Sequence, residues 1–306
     1  MRGRNLVALA RTLGALGVGY VQARSLIVRL KPAAVIGFGG YPTVPPVLAA
    51  AWSGVPSLIH DSNAVIGRAN KFLAPRVNAI ATSFPNVFGK NPDLAAKATL
   101  TGNPVRPAVV AAAAIPFPAL TDPLRLLVFG GSQGARVMAE VVPAAIGLLE
   151  PVLRARLSIV QQARDEDLAR VRDTYAKLAV AAEVAPFFSD LPARMAASHL
   201  IVSRSGASTV AELAAVGRPS ILVPLPGAID QDQFANAGVL ELAGGAIRLV
   251  QDVFTPRRLA TELATLAAAP ENLGKMAVAA HSVARLDAAD RLAELVLKVA
   301  AGSANQ

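Results

Sequence analysis

The chain has 306 residues, of which 53% are hydrophobic, and this is enough for two domains with buried cores. It contains no cysteine, which excludes disulfides and cysteine-ligated zinc sites and is compatible with a reducing compartment. The net charge of +9 is uneven, because residues 1–107 hold 12 Lys and Arg against only Asp61 and Asp93. This basic part indicates a polyanionic partner such as nucleic acid, anionic lipid or a pyrophosphate, with solubility as the simpler explanation.

Residues 1–31 predict a basic amphipathic helix. Apolar residues recur every three or four positions, with arginines around them, at Leu6, Leu9, Leu13, Leu16 and Tyr20. Such a helix can lie on an anionic membrane, or its apolar stripe can face the protein's own core, and both interpretations stay open. Arginines interrupt the apolar runs near the start, so the pattern does not indicate a signal peptide, and we expect a cytoplasmic protein.

Short apolar runs alternate with helical patterns along the rest of the chain, which predicts two doubly wound parallel-sheet domains of the α/β class. The first domain covers residues 1–107, with strand signals at 33–36, 57–59, 79–82 and 99–100. The second covers residues 124–286, with strand signals at 125–129, 157–161, 183–185, 200–203 and 220–223. The Ala- and Pro-rich residues 108–123 are predicted as a linker, and a C-terminal helix within 287–306 can pack back on the first domain.

Two turns in the second half each follow a predicted strand and precede a predicted helix. One contains Gly130, Gly131 and Gly134, and the other contains Ser205 and Gly206. Free amides and the positive end of the helix dipole favour a phosphate at such turns, although a tight turn without a ligand has the same pattern. The glycine spacing does not fit the dehydrogenase fingerprint. Two such helix N-termini in one domain favour a phosphate site.

Glu212 follows the second of these turns and has two interpretations. With Thr209 it fits the T-x-x-E spacing of a capping box, which would only satisfy free backbone amides. Alternatively, its carboxylate accepts hydrogen bonds from the two hydroxyls of a ribose, as an acidic residue does in dinucleotide folds.

Acidic and aromatic patterns bear on other ligands. The acidic residues 165–167 predict a solvated helix face. The pair Asp230 and Asp232 predicts a helix start. We therefore expect no bound metal. Aromatic residues make up 5% of the chain and are not interleaved with the basic ones, so we expect no nucleic-acid partner. In the first half, His60, Asp61, Ser62 and Asn63 cluster at a strand end, where ligands bind in open α/β sheets.

Six ordered motifs resemble the MurG-type family, the undecaprenyldiphospho-muramoylpentapeptide β-N-acetylglucosaminyltransferases, over nearly the whole chain. They lie at residues 37–41, 60–63, 101–106, 126–135, 203–224 and 230–237. The resemblance implies a GT-B fold of two Rossmann-like domains facing a cleft. It implies an inverting, metal-independent and cofactor-free transfer of N-acetylglucosamine from UDP-GlcNAc to a lipid-linked muramoyl-pentapeptide. It also implies a peripheral protein at the cytoplasmic face of the bacterial inner membrane, docked through residues 1–31.

The resemblance further implies site residues. Tyr41, His60 and Asn63 would face the acceptor, and His60 and Asp61 are the catalytic candidates. Arg106 would stabilise negative charge on the pyrophosphate and Glu212 would hold the ribose. The other donor contacts would be Asn63, Ser132, Phe188, Ala207, Ser208, Thr209, Val210, Ala211 and Gln233.

The chain departs from the family pattern in two places. Residues 60–63 read His-Asp-Ser-Asn where the family has His-Glu-Gln-Asn, so the acid is one methylene shorter and an amide is lost. The family's first strand and its Gly-Gly-Thr-Gly-Gly-His loop are absent. We therefore expect the chain to lack roughly 60–70 N-terminal residues and to have little or no transferase activity. Two alternatives are a non-catalytic, membrane-associated nucleotide-sugar binder and a GT-B transferase with another lipid acceptor.

Overall fold

The computed structural model describes residues 2–89, 91–120, 123–131, 135–228 and 231–302, with side chains from residue 14 onward. The chain divides into two compact units. Unit 1 comprises Met1–Asn103 and Asp287–Gln306, and unit 2 comprises Pro104–Leu286. Each unit is built on its own parallel sheet, which confirms the predicted class of two doubly wound α/β domains.

The described residues form ten strands in two sheets. In chain order they are β1 (Val35–Gly37), β2 (Ser57–Asp61), β3 (Ala79–Thr82), β4 (Ala98–Leu100), β5 (Leu124–Phe129), β6 (Leu157–Gln162), β7 (Ala181–Ala185), β8 (Leu200–Ser203), β9 (Ser220–Leu222) and β10 (Ala246–Arg248). Unit 1 has a four-stranded sheet in the order β1-β2-β3-β4. Unit 2 has a six-stranded sheet in the order β10-β9-β8-β5-β6-β7. All neighbouring strands pair in parallel. Because helices cover both faces of such sheets, the central strands are buried on both sides.

Helices connect these strands. In chain order the α-helices of the described residues are α1 (Arg2–Leu30), α2 (Val44–Trp52), α3 (Arg68–Leu73), α4 (Pro92–Ala96), α5 (Pro107–Ala113), α6 (Arg136–Gly147), α7 (Pro151–Ala155), α8 (Asp165–Lys177), α9 (Leu191–Ala197), α10 (Ala207–Val216), α11 (Asp232–Ala243), α12 (Pro256–Ala268), α13 (Glu271–Ser282) and α14 (Ala288–Gly302). In this described part, no helix is long and apolar enough to cross a membrane.

The C-terminal part of α1 packs along α2 within unit 1. Ile27 is buried against Ala49 and Ala50, and the ring of Tyr20 lies edge-on to Trp52 with the centroids 5.4 Å apart. The apolar stripe predicted for this helix therefore faces the protein's own core at Tyr20. The side chains of Leu6, Leu9 and Leu13 lie outside the described residues. At the other end of the chain, α14 packs against β2 and β3 of the same unit.

In unit 2, β5 lies in the middle of the sheet. The chain runs from β5 through β6 to β7 at one edge, and then returns to build β8, β9 and β10 on the other side of β5. The strand order thus reverses between β5 and β8. In open α/β sheets, ligands bind outside the carboxyl ends of the strands at such a switch point.

The segment predicted as a linker, residues 108–123, differs from that prediction. Residues 107–113 form α5, in which Val109 is fully buried, and α5 packs on α9 and α10. The buried guanidinium of Arg218 then donates to the carbonyls of Ile115 and Pro116, and the ring of His199 bonds the carbonyl of Ala119. These contacts bind the segment up to residue 120 to unit 2, and residues 121–122 lie outside the described residues.

Candidate active site

Unit 2 contains a cavity of about 1020 Å³ at the switch point of its sheet. Its volume matches the upper end of the usual range for small-molecule sites. The described residues of the first glycine loop, Gly130 and Gly131, follow β5, and the second glycine loop (residues 204–206) precedes α10. Of the predicted donor contacts and loop residues, those that line the cavity are Arg106, Gly130, Gly131, Phe188, Gly206, Ala207, Ser208, Thr209, Glu212 and Gln233.

Arg106 and Glu212 form a bidentate ion pair at this cavity. The Nε of Arg106 lies 3.1 Å from Oε1 of Glu212, and Nη2 lies 3.2 Å from Oε2. The carboxylate is 11% exposed, whereas the arginine side chain is 57% exposed. Burial raises the pKa of Glu212 above its ordinary value, and the charge of Arg106 opposes that shift. The pair with Arg106 therefore offsets part of the cost of burying the charged form of this carboxylate.

The capping-box interpretation of Glu212 is wrong. Helix α10 begins at Ala207, with Gly206 as its N-cap and without a side-chain cap, so Thr209 already lies inside the helix. A capping box needs the Thr at the N-cap position, one residue before the helix starts. The first-turn amides of α10 have no partner within the helix and lie at the cavity, next to Ala207 and Ser208.

Other members of the predicted set differ in how they reach the cavity. The side chain of Val210 is buried, so only its backbone is available to a ligand. Ser205 is fully buried, and its hydroxyl donates to the carbonyl of Gln233 at 2.8 Å. Because this bond directs it into the protein, Ser205 fixes the second glycine loop and does not present a hydroxyl to the cavity. Gln233 in turn accepts from the amide of Leu225 at 3.0 Å.

The first glycine loop begins directly after β5. Gly131 has a φ of 86°, a backbone conformation that favours glycine, and the amide of Gly130 donates to Oε1 of Gln162 at 3.1 Å. The predicted contacts Ser132 and Gly134 lie outside the described residues.

Sequence reasoning missed a buried arginine at this site. Arg204 follows β8, and its guanidinium donates to the carbonyls of Val223 and Pro224 and to Oε1 of Gln251. Burial lowers the pKa of Arg204. Its position directly after a strand of the sheet was the signal that could have identified it, because the carboxyl ends of parallel strands face the ligand.

The two acidic clusters lie at helix starts, and the solvated face predicted for residues 165–167 holds for the exposed Asp165 and Glu166 but is wrong for Asp167, which is buried. Residues 165–167 open α8, and Asp232 opens α11, where its carboxylate accepts from the amide of Gln233 at 2.8 Å. Asp230 lies outside the described residues. Within the described part of the chain, no three His, Asp or Glu side chains group in a way that could hold a metal ion.

The polar cluster of unit 1 is more deeply buried than predicted. His60 and Asp61 belong to β2 itself, and they are 1% and 2% exposed. The Nε2 of His60 lies 3.0 Å from the carbonyl oxygen of Gly102, and burial lowers the pKa of this ring. The carboxylate of Asp61 accepts from the amides of Asn63 and Gly67 and from Nδ2 of Asn70, at 2.9–3.0 Å.

These contacts give Asp61 a structural role, while its catalytic role stays a prediction. Its carboxylate accepts three hydrogen bonds and is buried, so it fixes the turn from residue 61 to residue 67. His60 is likewise enclosed in the strand. The more accessible predicted residues are Asn63, which is half-buried, and Tyr41, which is 60% exposed and follows Gly40.

Comparisons with known proteins agree with this architecture. The sequence model of the glycosyltransferase family 28 N-terminal domain matches residues 1–82, and that of the family 28 C-terminal domain matches residues 125–292. A protein from Rhodopseudomonas palustris, named UDP-N-acetylglucosamine–N-acetylmuramyl-(pentapeptide) pyrophosphoryl-undecaprenol N-acetylglucosamine transferase, is 67% identical over 98% of this chain and 80% of its own length. A protein of the same name from Nitrobacter winogradskyi is 66% identical over 98% of this chain and 82% of its own length.

Among solved structures, the crystal structure of MurG from Acinetobacter baumannii is similar with a TM-score of 0.79 and 32% identity, covering 91% of this chain and 78% of that one. Two parallel-sheet units, matched in order by the N-terminal and C-terminal domain models of a glycosyltransferase family, place the chain among the glycosyltransferases of the GT-B fold. The chain belongs to glycosyltransferase family 28, and within it to the MurG-type transferases.

Proposed function

We propose that this protein transfers N-acetylglucosamine from UDP-GlcNAc to undecaprenyl-pyrophosphoryl-MurNAc-pentapeptide, a step of peptidoglycan synthesis. The observation that carries the proposal is the unit 2 cavity, in which the Arg106–Glu212 ion pair lies beside the N-terminus of α10. A cation, free amides and a hydroxyl-accepting carboxylate within one cavity suit the pyrophosphate and the ribose of a nucleotide diphosphate. The named relatives act on this donor and acceptor according to their names.

The donor would occupy the cavity with its pyrophosphate at the two glycine loops. The first-turn amides of α10, from Ala207 to Thr209, and the guanidinium of Arg106 would bind its charged oxygens. The carboxylate of Glu212 would accept the ribose hydroxyls. The other donor contacts that we propose are Asn63, Ser132, Phe188, Val210 through its backbone, Ala211 and Gln233.

In the transfer step, the C4 hydroxyl oxygen of the acceptor sugar would attack the anomeric carbon of the donor as the bond to UDP breaks, with inversion at that carbon, and the hydroxyl proton would pass to water. Negative charge develops on the departing pyrophosphate. Arg106 and the α10 amides would stabilise that charge, and fixed donors in a closed site contribute strongly to such a step. Tyr41 and Asn63 would contact the acceptor. His60, which is buried in β2, would support this part of the site without being exposed to solvent.

Unit 1 would dock on an anionic membrane surface through α1, which suits a lipid-linked acceptor and a peripheral location at the inner membrane. The exposed side of α1 carries Val21 and Val28, which are 66% and 65% exposed. Arg24 and Arg29 are exposed on the same helix. Apolar and cationic side chains together allow shallow insertion with headgroup attraction.

The membrane proposal is tested by co-sedimentation with vesicles of phosphatidylglycerol and phosphatidylcholine. The double variant Val21→Ser/Val28→Ser should bind these vesicles less than wild type does. Leu242→Ser is the matched control, because Leu242 is 90% exposed on α11 of unit 2. Equal losses in both variants, or equal binding to neutral vesicles at high salt, would contradict docking through α1.

The transfer itself is tested by incubating the protein with radiolabelled UDP-GlcNAc and the lipid-linked muramoyl-pentapeptide in detergent. Label in the lipid fraction, dependent on both substrates, is the result that the proposed function predicts, and it would overturn the sequence-based expectation of little or no transferase activity. Donor binding without labelled lipid would favour the alternative of a non-catalytic nucleotide-sugar binder. Transfer to a different polyprenyl acceptor only would favour the alternative GT-B transferase.

A further inference from the structure

Gln162 joins two walls of the unit 2 cavity through a single side chain. It is the last residue of β6 and lines the cavity. Its Oε1 accepts from the amide of Gly130 at 3.1 Å, and its Nε2 donates to the carbonyl of Pro186, also at 3.1 Å. Gly130 opens the first glycine loop, and Pro186 precedes Phe187 and Phe188, which also line the cavity.

The position of Gln162 in the sheet explains how one amide reaches both walls. Strand β6 lies between β5 and β7, and the strand registers pair Gln161 with Val128 and Gln162 with Ala185. Gly130 and Pro186 are the first residues beyond β5 and β7. The side chain of Gln162 therefore bridges the two neighbouring chains just where the regular strands end.

We propose that Gln162 is a positioning residue that fixes the separation between the first glycine loop and the segment 186–188. This inference rests on the proposed function, in which the glycine loop binds the pyrophosphate and Phe188 contacts the donor, and it assigns that contact to the nucleoside. A nucleoside diphosphate has a limited span between base and pyrophosphate. When the glycine loop and the segment 186–188 are held at the matching distance, the base and the pyrophosphate can bind together without a further cost in conformational entropy. Gln162 would therefore couple the binding of the base to that of the pyrophosphate.

The chemistry of the side chain makes the proposal specific. A glutamine amide supplies an acceptor and a donor at once, which the bridge requires. Methionine has a similar length but supplies neither group. An ionised glutamate could still accept from Gly130, but it would turn a second acceptor towards the carbonyl of Pro186. Once protonated, that glutamate could donate to Pro186 and restore the bridge.

The first test measures binding of UDP, uridine and inorganic pyrophosphate to the wild-type chain and to Gln162→Met by calorimetry. Because two hydrogen bonds are lost, UDP binding should weaken about tenfold. Uridine and pyrophosphate should each change less than about twofold, since each contacts only one wall. Unchanged UDP binding would overturn the proposal, and so would an equal loss for uridine, which would make Gln162 a direct nucleoside contact.

The second test uses Gln162→Glu and a pH series. The UDP affinity of this variant relative to wild type should be low at neutral pH and should recover as the pH falls through the pKa of the new carboxyl group. A ratio independent of pH would contradict the bridging role. Gln161→Met is the matched control, because Gln161 lies on the same strand but bonds Tyr175 and Met138 outside the cavity.

The control variant should lose thermal stability and keep its UDP affinity. Failure of the wild-type chain to bind UDP would count against the proposed function itself. Wild-type binding with unaltered binding in both Gln162 variants would count against the positioning role alone.

Discussion

Replacing Glu212 by alanine tests the proposed ribose contact. Its carboxylate takes part in two interactions, one in the free protein and one in the donor complex. In the free protein the carboxylate pairs with Arg106, and in the proposed donor complex it accepts the ribose hydroxyls. Glu212→Ala removes both interactions. The change in donor affinity therefore equals the gain from the ribose minus the cost of opening the ion pair.

Both terms have known orders of magnitude. Hydrogen bonds to a charged group contribute about 1.5–3 kcal/mol. The pair with Arg106 contributes at most about 1 kcal/mol, because the arginine is 57% exposed and solvent screens it. We therefore expect Glu212→Ala to lose about 0.5–3 kcal/mol of donor affinity, or about 2-fold to 160-fold in Kd.

The assay is titration calorimetry with UDP-GlcNAc on wild type and on Glu212→Ala. Glu241→Ala is the matched control, because Glu241 also pairs with an arginine, Arg248, at 2.5 Å but does not line the cavity. Its donor affinity should equal that of wild type. An unchanged Kd in Glu212→Ala, or an equal loss in both variants, would refute the proposed ribose contact.

Three further predictions concern pH and membrane binding. Burial raises the pKa of Glu212, so the ionised carboxylate destabilises the fold at neutral pH, and this cost disappears as the pH falls through the raised pKa towards 4.5 and below. The Tm of Glu212→Gln, measured by circular dichroism, should therefore exceed that of wild type at pH 7, and the difference should shrink at pH 4. A lower Tm than wild type at pH 7 would contradict this. Burial lowers the pKa of His60, so the contribution of the neutral ring to stability is complete above pH 6.5 and is lost as the pH falls through the lowered pKa. Unfolding of unit 1, followed by Trp52 fluorescence, should therefore depend less on acidic pH in His60→Gln than in wild type. The same pH dependence in both proteins would contradict this prediction. Arg24→Gln and Arg29→Gln should each weaken binding to anionic vesicles by about 1 kcal/mol, an effect that added salt removes, and unaltered sedimentation would argue against electrostatic docking.

The parallel-sheet architecture could be predicted because buried strands leave short apolar runs bounded by turn residues. Each predicted strand overlaps an observed one. The edge strand β10 (Ala246–Arg248) was missed, since it has three residues and ends in a cation. The linker prediction did not anticipate that residues 108–113 belong to α5, because an Ala- and Val-rich composition also suits a short buried helix.

The site could be predicted only in part. Glycine turns after strands mark the carboxyl edge of a sheet, and the described residues of both turns do line the cavity except for the buried Ser205. The Arg106–Glu212 pair was not predicted, because it joins residues 106 positions apart and no local spacing encodes it. The T-x-x-E spacing misled because Gly206, three positions earlier than Thr209, already caps the helix.

The most direct test of the account is calorimetric titration of the 306-residue chain with UDP-GlcNAc, with Arg106→Ala measured in parallel. We expect one donor per chain, displaced by UDP, and weaker binding in Arg106→Ala because the pyrophosphate loses a charged partner. A wild-type chain that binds no UDP-GlcNAc, or an Arg106→Ala variant that binds it as tightly as wild type, would contradict the assignment of the unit 2 cavity as the donor site.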